Sequence, residues 1–241
     1  MKYHKTFILL AFAALLQLFA CVTQPAAIKK NEYGLEIVSN KIAFIKTVQM
    51  DSSKQMVALS IYLQPLVTEW KYATEDNFTK KVLYKNPCAY MRIEAALALQ
   101  KVNEELKAKG LGLKIFDAYR PYSVTKKMWK AVPDENYAAN PAKGSGHNRG
   151  AAIDLTLYDL ATGNELRMPT PFDDFTQKAH HNYMNLDSVV LVNRQILKDA
   201  MVKYGFMPLP TEWWHYYLPN AAQRFELIDL SFEQMKSLTK E

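Results

Sequence analysis

Two short runs constrain this chain more than anything else in it: Ser145-Gly146-His147-Asn148-Arg149-Gly150-Ala151-Ala152-Ile153-Asp154 and, well downstream, Glu212-Trp213-Trp214-His215. Together they hold two imidazoles and two carboxylates, enough for three ligands to a divalent metal, one general base and an open coordination position for water. That is the make-up of a hydrolytic zinc site, and any fold that uses it must bring both runs to one place.

The flanking residues say how. After Asn148-Arg149-Gly150-Ala151-Ala152, Ile153 to Tyr158 alternates as a strand, with Asp154, Thr156 and Tyr158 on one face and Ile153, Leu155 and Leu157 on the other. An aspartate among such apolar neighbours is costly unless it is paired or coordinates a cation. Gly150 and Ala152 are expected to be small because backbone passes close to metal and substrate there. His215 sits in the aromatic run Trp213 to Tyr217, which favours strand, but Glu212 and His215 are three apart and would point to opposite faces of a regular one. A bend or bulge near Trp213 is required if both serve one site. Residue type alone leaves open which of Asp154 and Glu212 binds metal and which is the base.

The two runs resemble those of the D-alanyl-D-alanine dipeptidases, the zinc peptidases that include the dipeptide hydrolase of vancomycin resistance. Lys71-Tyr72-Ala73-Thr74, Asn77-Phe78-Thr79 and Asp117-Ala118-Tyr119-Arg120-Pro121 match the same family in the same order, so the resemblance spans roughly Tyr62 to Tyr217. It implies one zinc ion per chain on His147, Asp154 and His215, with Glu212 as general base and Arg120 stabilising the oxyanion. Ser145 matches the residue that contacts the substrate's terminal carboxylate, and Asp173 sits where the family places an acid for its amino group. The implied substrate is a small dipeptide, D-alanyl-D-alanine or a close relative, because charges read at both ends fix its length. Trimming of longer wall peptides by a D,D-carboxypeptidase, a dipeptidase of other stereochemical preference and a catalytically silent zinc-binding module are the alternatives. Glu212 and Arg120 together argue against the last, since a structural site needs neither. Without such motifs a histidine is more often structural, which is the expectation for His180 and His181, and Trp213 and Trp214 are expected to pack.

The ends of the chain carry a different message. Lys2 and Lys5 precede the apolar run Phe7 to Leu16, the form of a signal peptide over residues 1–20, too short to span a bilayer comfortably. Leu18-Phe19-Ala20-Cys21 resembles a bacterial lipoprotein cleavage box, which would make Cys21 the lipidated residue, with plain secretion or an uncleaved anchor as alternatives. The expectation is an exported protein of the periplasm or cell envelope, tied to the membrane by lipid. Lipidation of Cys21 leaves Cys88 without an intrachain disulfide partner; otherwise a bridge between the two is conceivable. Losing Lys2 and Lys5 lowers the formal charge from +6 to +4, and no segment gathers the remaining basic residues into a stripe, so nucleic acid is not an expected partner.

Residues 21–55 read as a lipid-anchored segment or linker ending in a short strand over Ile42 to Ile45, and 56–241 as one dipeptidase domain. Within it, Met91 to Lys109 reads as a helix with Leu99, Val102 and Leu106 on one stripe and Gly110 as its stop. Gly112 to Tyr119 reads as a strand that delivers Arg120 before Pro121, and Ser123 as the cap of a helix to Val132. A loop follows to Gly146, a hairpin turn at Thr162-Gly163-Asn164, and a helix from Asp187 to Tyr204 stopped by Gly205. Helices and strands alternate without a repeated βαβ rhythm or a phosphate loop. The expected fold is α+β, a small and mostly antiparallel sheet with flanking helices; the resemblance implies the hedgehog-like fold of the D,D-peptidases.

Overall fold

The computed structural model of the protein describes residues 28–239, so the leader, Cys21 and its cleavage box lie outside the described residues. The N-terminal stretch forms β1 (Lys29–Lys30), β2 (Glu36–Val38) and helix α1 (Lys41–Met50). The strand expected over Ile42 to Ile45 is thus a helix. The Asn40 side chain accepts the Ala43 N–H at 2.9 Å, and Ala43, Phe44 and Thr47 form a buried helical face. A four-residue apolar window fits either period, and the capping residue that decides lies outside it. Nor are residues 28–50 a free tether, because β2 pairs in parallel with Leu227–Ile228 near the other end of the chain.

Next come β3 (Met56–Ala58), β4 (Val67–Thr68) and β5 (Tyr90–Arg92), with β3 and β5 paired antiparallel. Helix α2 (Ile93–Lys107) follows, and Gly110 at φ +76° turns the chain into β6 (Leu111–Asp117). Helix α3 (Tyr122–Ala131) begins directly after Pro121. Ser123 does not cap it; its backbone N–H is instead taken by Asp229 Oδ1 at 2.9 Å. After the loop over 132–146 come β7 (Ala152–Asp159), helix α4 (Ser188–Lys203), β8 (Met207–Pro208) and β9 (His215–Tyr217). Short helices α5 (Ala221–Arg224) and α6 (Phe232–Lys236) flank β10 (Leu227–Ile228). The hairpin after β7 turns at Gly163, φ +74°, and Asp159 N–H bonds Asn164 C=O at 2.9 Å.

The main sheet runs β4-β6-β7-β9-β8, with every neighbouring pair antiparallel except β4 beside β6. Helices α2 and α4 pack on it and on each other. Ile153, Leu155 and Leu157 of β7 meet Leu99, Val102 and Leu106 of α2 and Leu197 and Met201 of α4 in one fully buried core. The alternation expected of β7 therefore holds, and its other face, Asp154, Thr156 and Tyr158, is buried as well. That burial on both faces is what a central strand requires, and it commits Asp154 to a partner. The architecture is the α+β arrangement of a small, mostly antiparallel sheet with flanking helices. Among the described residues no helix is long and apolar enough to cross a membrane.

Candidate metal centre and active site

Sheet register assembles the site. Asp117, Asp154 and His215 are successive cross-strand partners on β6, β7 and β9, so one row of the sheet carries two carboxylates and an imidazole side by side. The register of β6 against β7 shifts between Ile115 and Asp117, the irregularity that brings Asp117 into the row. The bend expected between Glu212 and His215 is present: β9 starts only at His215, whose N–H bonds the Glu212 carbonyl at 3.3 Å across a turn.

His147 arrives from the loop before β7, on a single 3-10 turn over His147–Arg149. Gly150 ends that turn at φ +67°, and its carbonyl accepts the Arg92 N–H at 2.8 Å. A Cβ at Gly150 would lie 2.4 Å from Met56 Sδ, and one at Gly146 would lie 2.8 Å from Ala152 Cβ. Gly150 is therefore required by its left-handed backbone and by Met56 against it, and Gly146 by its contact with Ala152. His147 Nδ1 lies 2.7 Å from the Ala118 carbonyl, which can only accept, so Nδ1 carries the proton and Nε2 presents a lone pair.

That lone pair points at the other donors. His147 Nε2 is 3.3 Å from His215 Nδ1 and 3.3 Å from Asp154 Oδ2, and His215 Nδ1 is 2.8 Å from Asp154 Oδ1. Among the described residues these three form a group whose donor atoms all lie within 4.8 Å of one another. Ligands about 2.0–2.1 Å from a tetrahedral ion stand about 3.3 Å apart, so the spacing fits a divalent cation held by two nitrogens and a carboxylate. His180 and His181 do not join them. The His181 ring packs edge-on against Tyr216, and burial followed by the charges of Lys198 and Arg194 lowers its pKa to about 4.

A cavity of about 260 Å³ opens beside this group, lined among others by Tyr72, Arg120, Ser145, Asp173, Glu212 and Trp214. The structure thus places every candidate residue within the described chain at one cavity. Arg120 is 6% exposed; its Nε donates to Asp117 Oδ2 at 2.8 Å, and its guanidinium lies 4.9 Å from the Tyr72 ring centre. Burial, the largest single influence, would lower its pKa, but Asp117, Tyr72, Asp154 and Tyr84 together outweigh it and raise the pKa, so Arg120 is a permanent cation. Asp154 is likewise pushed up by burial and pulled down further by the two imidazoles, and it stays ionised.

Glu212 and Asp173 behave oppositely. Burial raises Glu212 to about 7, with Asp154 and Asp173 adding like-charge repulsion. Asp173 also rises to about 7 through burial, although it accepts the Tyr72 hydroxyl at 2.9 Å and the Phe78 N–H at 3.3 Å. Asp117 and Arg120 neutralise each other, which leaves ionised Asp154 beside two carboxyl groups, Glu212 and Asp173, that lose their protons only near neutrality. Such a site gains from a bound cation. Ser145 accepts the His147 N–H on Oγ at 3.1 Å, leaving its hydroxyl proton free to donate into the cavity.

Sequence reading passed over three contributors: the Ala118 carbonyl that orients His147, Asp117 as the partner of Arg120, and Tyr84, whose hydroxyl donates to Asp117 at 2.9 Å. Asp117 lay in a quoted motif and could have been suspected as a charge ending a buried strand. Nothing in the sequence marks Tyr84. Trp213 and Trp214 pack as expected, at 2% and 1% exposure, and Trp213 Nε1 donates to Thr170 at 3.0 Å.

Comparison with known proteins places the chain. The family model described as D-ala-D-ala dipeptidase matches residues 52–236. A D-alanyl-D-alanine dipeptidase of Escherichia coli (strain K12) is 37% identical over 180 residues, 75% of this chain and 93% of the relative. One from Enterococcus faecalis (strain ATCC 700802 / V583) is 34% identical over 168 residues, 61% of this chain and 83% of the relative. Among solved structures, VanYB in complex with D-Alanine-D-Alanine aligns at 15% identity and a TM-score of 0.38, over 58% of this chain and 79% of that one. On the family match and on identity over nearly the full length of a relative, the chain belongs to the D-ala-D-ala dipeptidase family.

Proposed function

We propose that the protein hydrolyses D-alanyl-D-alanine, or a closely related dipeptide, to free amino acids at a site that holds one zinc ion. The observation that carries this reading is the convergence of His147 Nε2, His215 Nδ1 and an Asp154 oxygen at 2.8–3.3 Å, beside a cavity that also holds Glu212 and Arg120. A zinc ion held there supplies Lewis acidity, which polarises a carbonyl and brings the pKa of a water to roughly 7.

The chain's own residues do the rest. Glu212, raised to about 7, takes the proton of the attacking water and passes it to the leaving amine as the C–N bond breaks. Arg120 donates to the oxygen that becomes negative, and its pairing with Asp117 keeps it in place before the reaction begins. Asp173, held by Tyr72 and the Phe78 N–H, faces the substrate's ammonium. The Ser145 hydroxyl meets the carboxylate at the other end. A charge requirement at both ends of a cavity of about 260 Å³ selects a dipeptide over a longer chain.

The leader supports an enzyme of the periplasm or cell envelope, with a signal peptide over residues 1–20 and lipid on Cys21. A periplasmic enzyme cannot easily drain a cytoplasmic dipeptide pool, so wall-peptide turnover or nutrient scavenging is the expected role.

Release of alanine from D-alanyl-D-alanine, from its N-acetylated form and from a pentapeptide ending in D-alanyl-D-alanine tests the reading. Only the free dipeptide should turn over well. Efficient release from the pentapeptide would make the enzyme a D,D-carboxypeptidase. Glu212→Ala should retain zinc and lose turnover, and undiminished hydrolysis would remove Glu212 from its role.

A further inference from the structure

Arg120 can meet an oxyanion reproducibly only if part of its fork is gripped while the rest faces the cavity. The grip on two of its three nitrogens is a carboxylate that does not itself line the cavity, while the third rests 3.1 Å from Met128 Sδ. Asp117 is fully buried, and its Oδ2 takes Arg120 Nε at 2.8 Å and stands 2.6 Å from a terminal guanidinium nitrogen. Its other oxygen accepts the Tyr84 hydroxyl at 2.9 Å, and Tyr84 is wedged edge-on between Tyr72 and Phe232. Both carboxylate oxygens are engaged, so the group cannot swing. An exposed pair at this spacing would be worth little. Here both partners are buried, and removing either leaves an uncompensated charge.

We infer that Asp117 is a positioning residue: anchored by Tyr84, it fixes the angle at which Arg120 presents its N–H groups to the developing oxyanion. This rests on the proposed role of Arg120, and the test separates the two. Steady-state kinetics on D-alanyl-D-alanine are measured for Asp117→Asn, Arg120→Ala and the double variant, with zinc content and thermal midpoint alongside. Arg120→Ala should lower kcat about 100- to 1,000-fold. Asp117→Asn should lower kcat about tenfold or more with KM within about twofold, and add less than about twofold on top of Arg120→Ala, because groups acting through one another are not additive.

Stability should move the other way. Asp117→Asn should raise the thermal midpoint of Arg120→Ala by discharging the carboxylate that variant leaves unpaired. A kcat unaffected by Asp117→Asn, or reduced equally in both backgrounds, overturns the inference. Undiminished kcat in Arg120→Ala overturns instead the role given to Arg120. If Asp117→Asn does not accumulate as folded protein, Tyr84→Phe frees the second carboxylate oxygen without changing a charge and enters the same cycle. A loss that vanishes beside Arg120→Ala supports the inference, and an equal loss in both backgrounds, or none, overturns it.

Discussion

Glu212 and Asp173 are the two side chains whose surroundings oppose their ordinary chemistry. Each has a folded-state pKa near 7, against 4.5 and 3.8 for the free groups, because burial disfavours the charged form. These two groups therefore bind more protons in the folded protein than in the unfolded chain between about pH 4 and 7, so their contribution to stability falls as pH rises through that window, while His181, lowered from 6.5 to about 4, contributes in the opposite sense. In thermal unfolding of chelator-treated protein, Glu212→Gln and Asp173→Asn should each remove part of this contribution, so that the parent loses stability relative to either variant as pH rises from about 4 to 7. In the proposed role of general base Glu212 accepts a proton only when ionised, so turnover should run the opposite way: kcat/KM should drop on the acid side at or below about pH 7. Glu212 was legible in the sequence because it sits in a motif of chemically specific types, and Asp173 only through its place in the family resemblance. The partners that orient the site's residues were not: a backbone carbonyl such as that of Ala118 has no sequence signature, and Tyr84 reaches Asp117 across 33 positions of chain.

At the level of elements, the site depends on a strand row and on one tight turn. His147 is delivered by a 3-10 turn that Gly150 closes in the left-handed region, with Met56 and the Arg92 backbone against it. Gly150→Ala adds about 1–2 kcal/mol of backbone strain before any clash is counted. Calorimetric zinc titration and thermal unfolding should show weakened metal binding and a lowered midpoint together; an unchanged metal affinity would mean that this turn does not set the position of His147. The long elements were readable because many residues vote on their period: Ile93–Lys107 and Ser188–Lys203 fall within the expected ranges, and Leu111–Asp117 and Ala152–Asp159 match theirs to within two residues at each end. The short ones were decided by single contacts. Asn40 capping Ala43 made a helix of Ile42 to Ile45, and Asp229, more than a hundred residues away, drew off the Ser123 N–H that a local cap would explain.

For the molecule as a whole, the N-terminal segment belongs to the folded body, because β2 adds to β10 and α1 buries Phe44 at 4% exposure. Phe44→Ala should cost about 3–5 kcal/mol, read by denaturant unfolding, as for a core aromatic and far more than a tether residue would. Pairing between distant ends of a chain has no local pattern, which is why the sequence reads as a linker there. The proposed zinc site ties β7 and β9 to the loop before β7: zinc at a free concentration a thousandfold above its Kd should stabilise the fold by about 4 kcal/mol. The most direct test of the central claim is anomalous diffraction at the zinc edge from crystals of the zinc-loaded protein. The account predicts one strong peak per chain, within bonding distance of His147 Nε2, His215 Nδ1 and the Asp154 carboxylate; active protein with no peak there, or with its zinc on other residues, would contradict it.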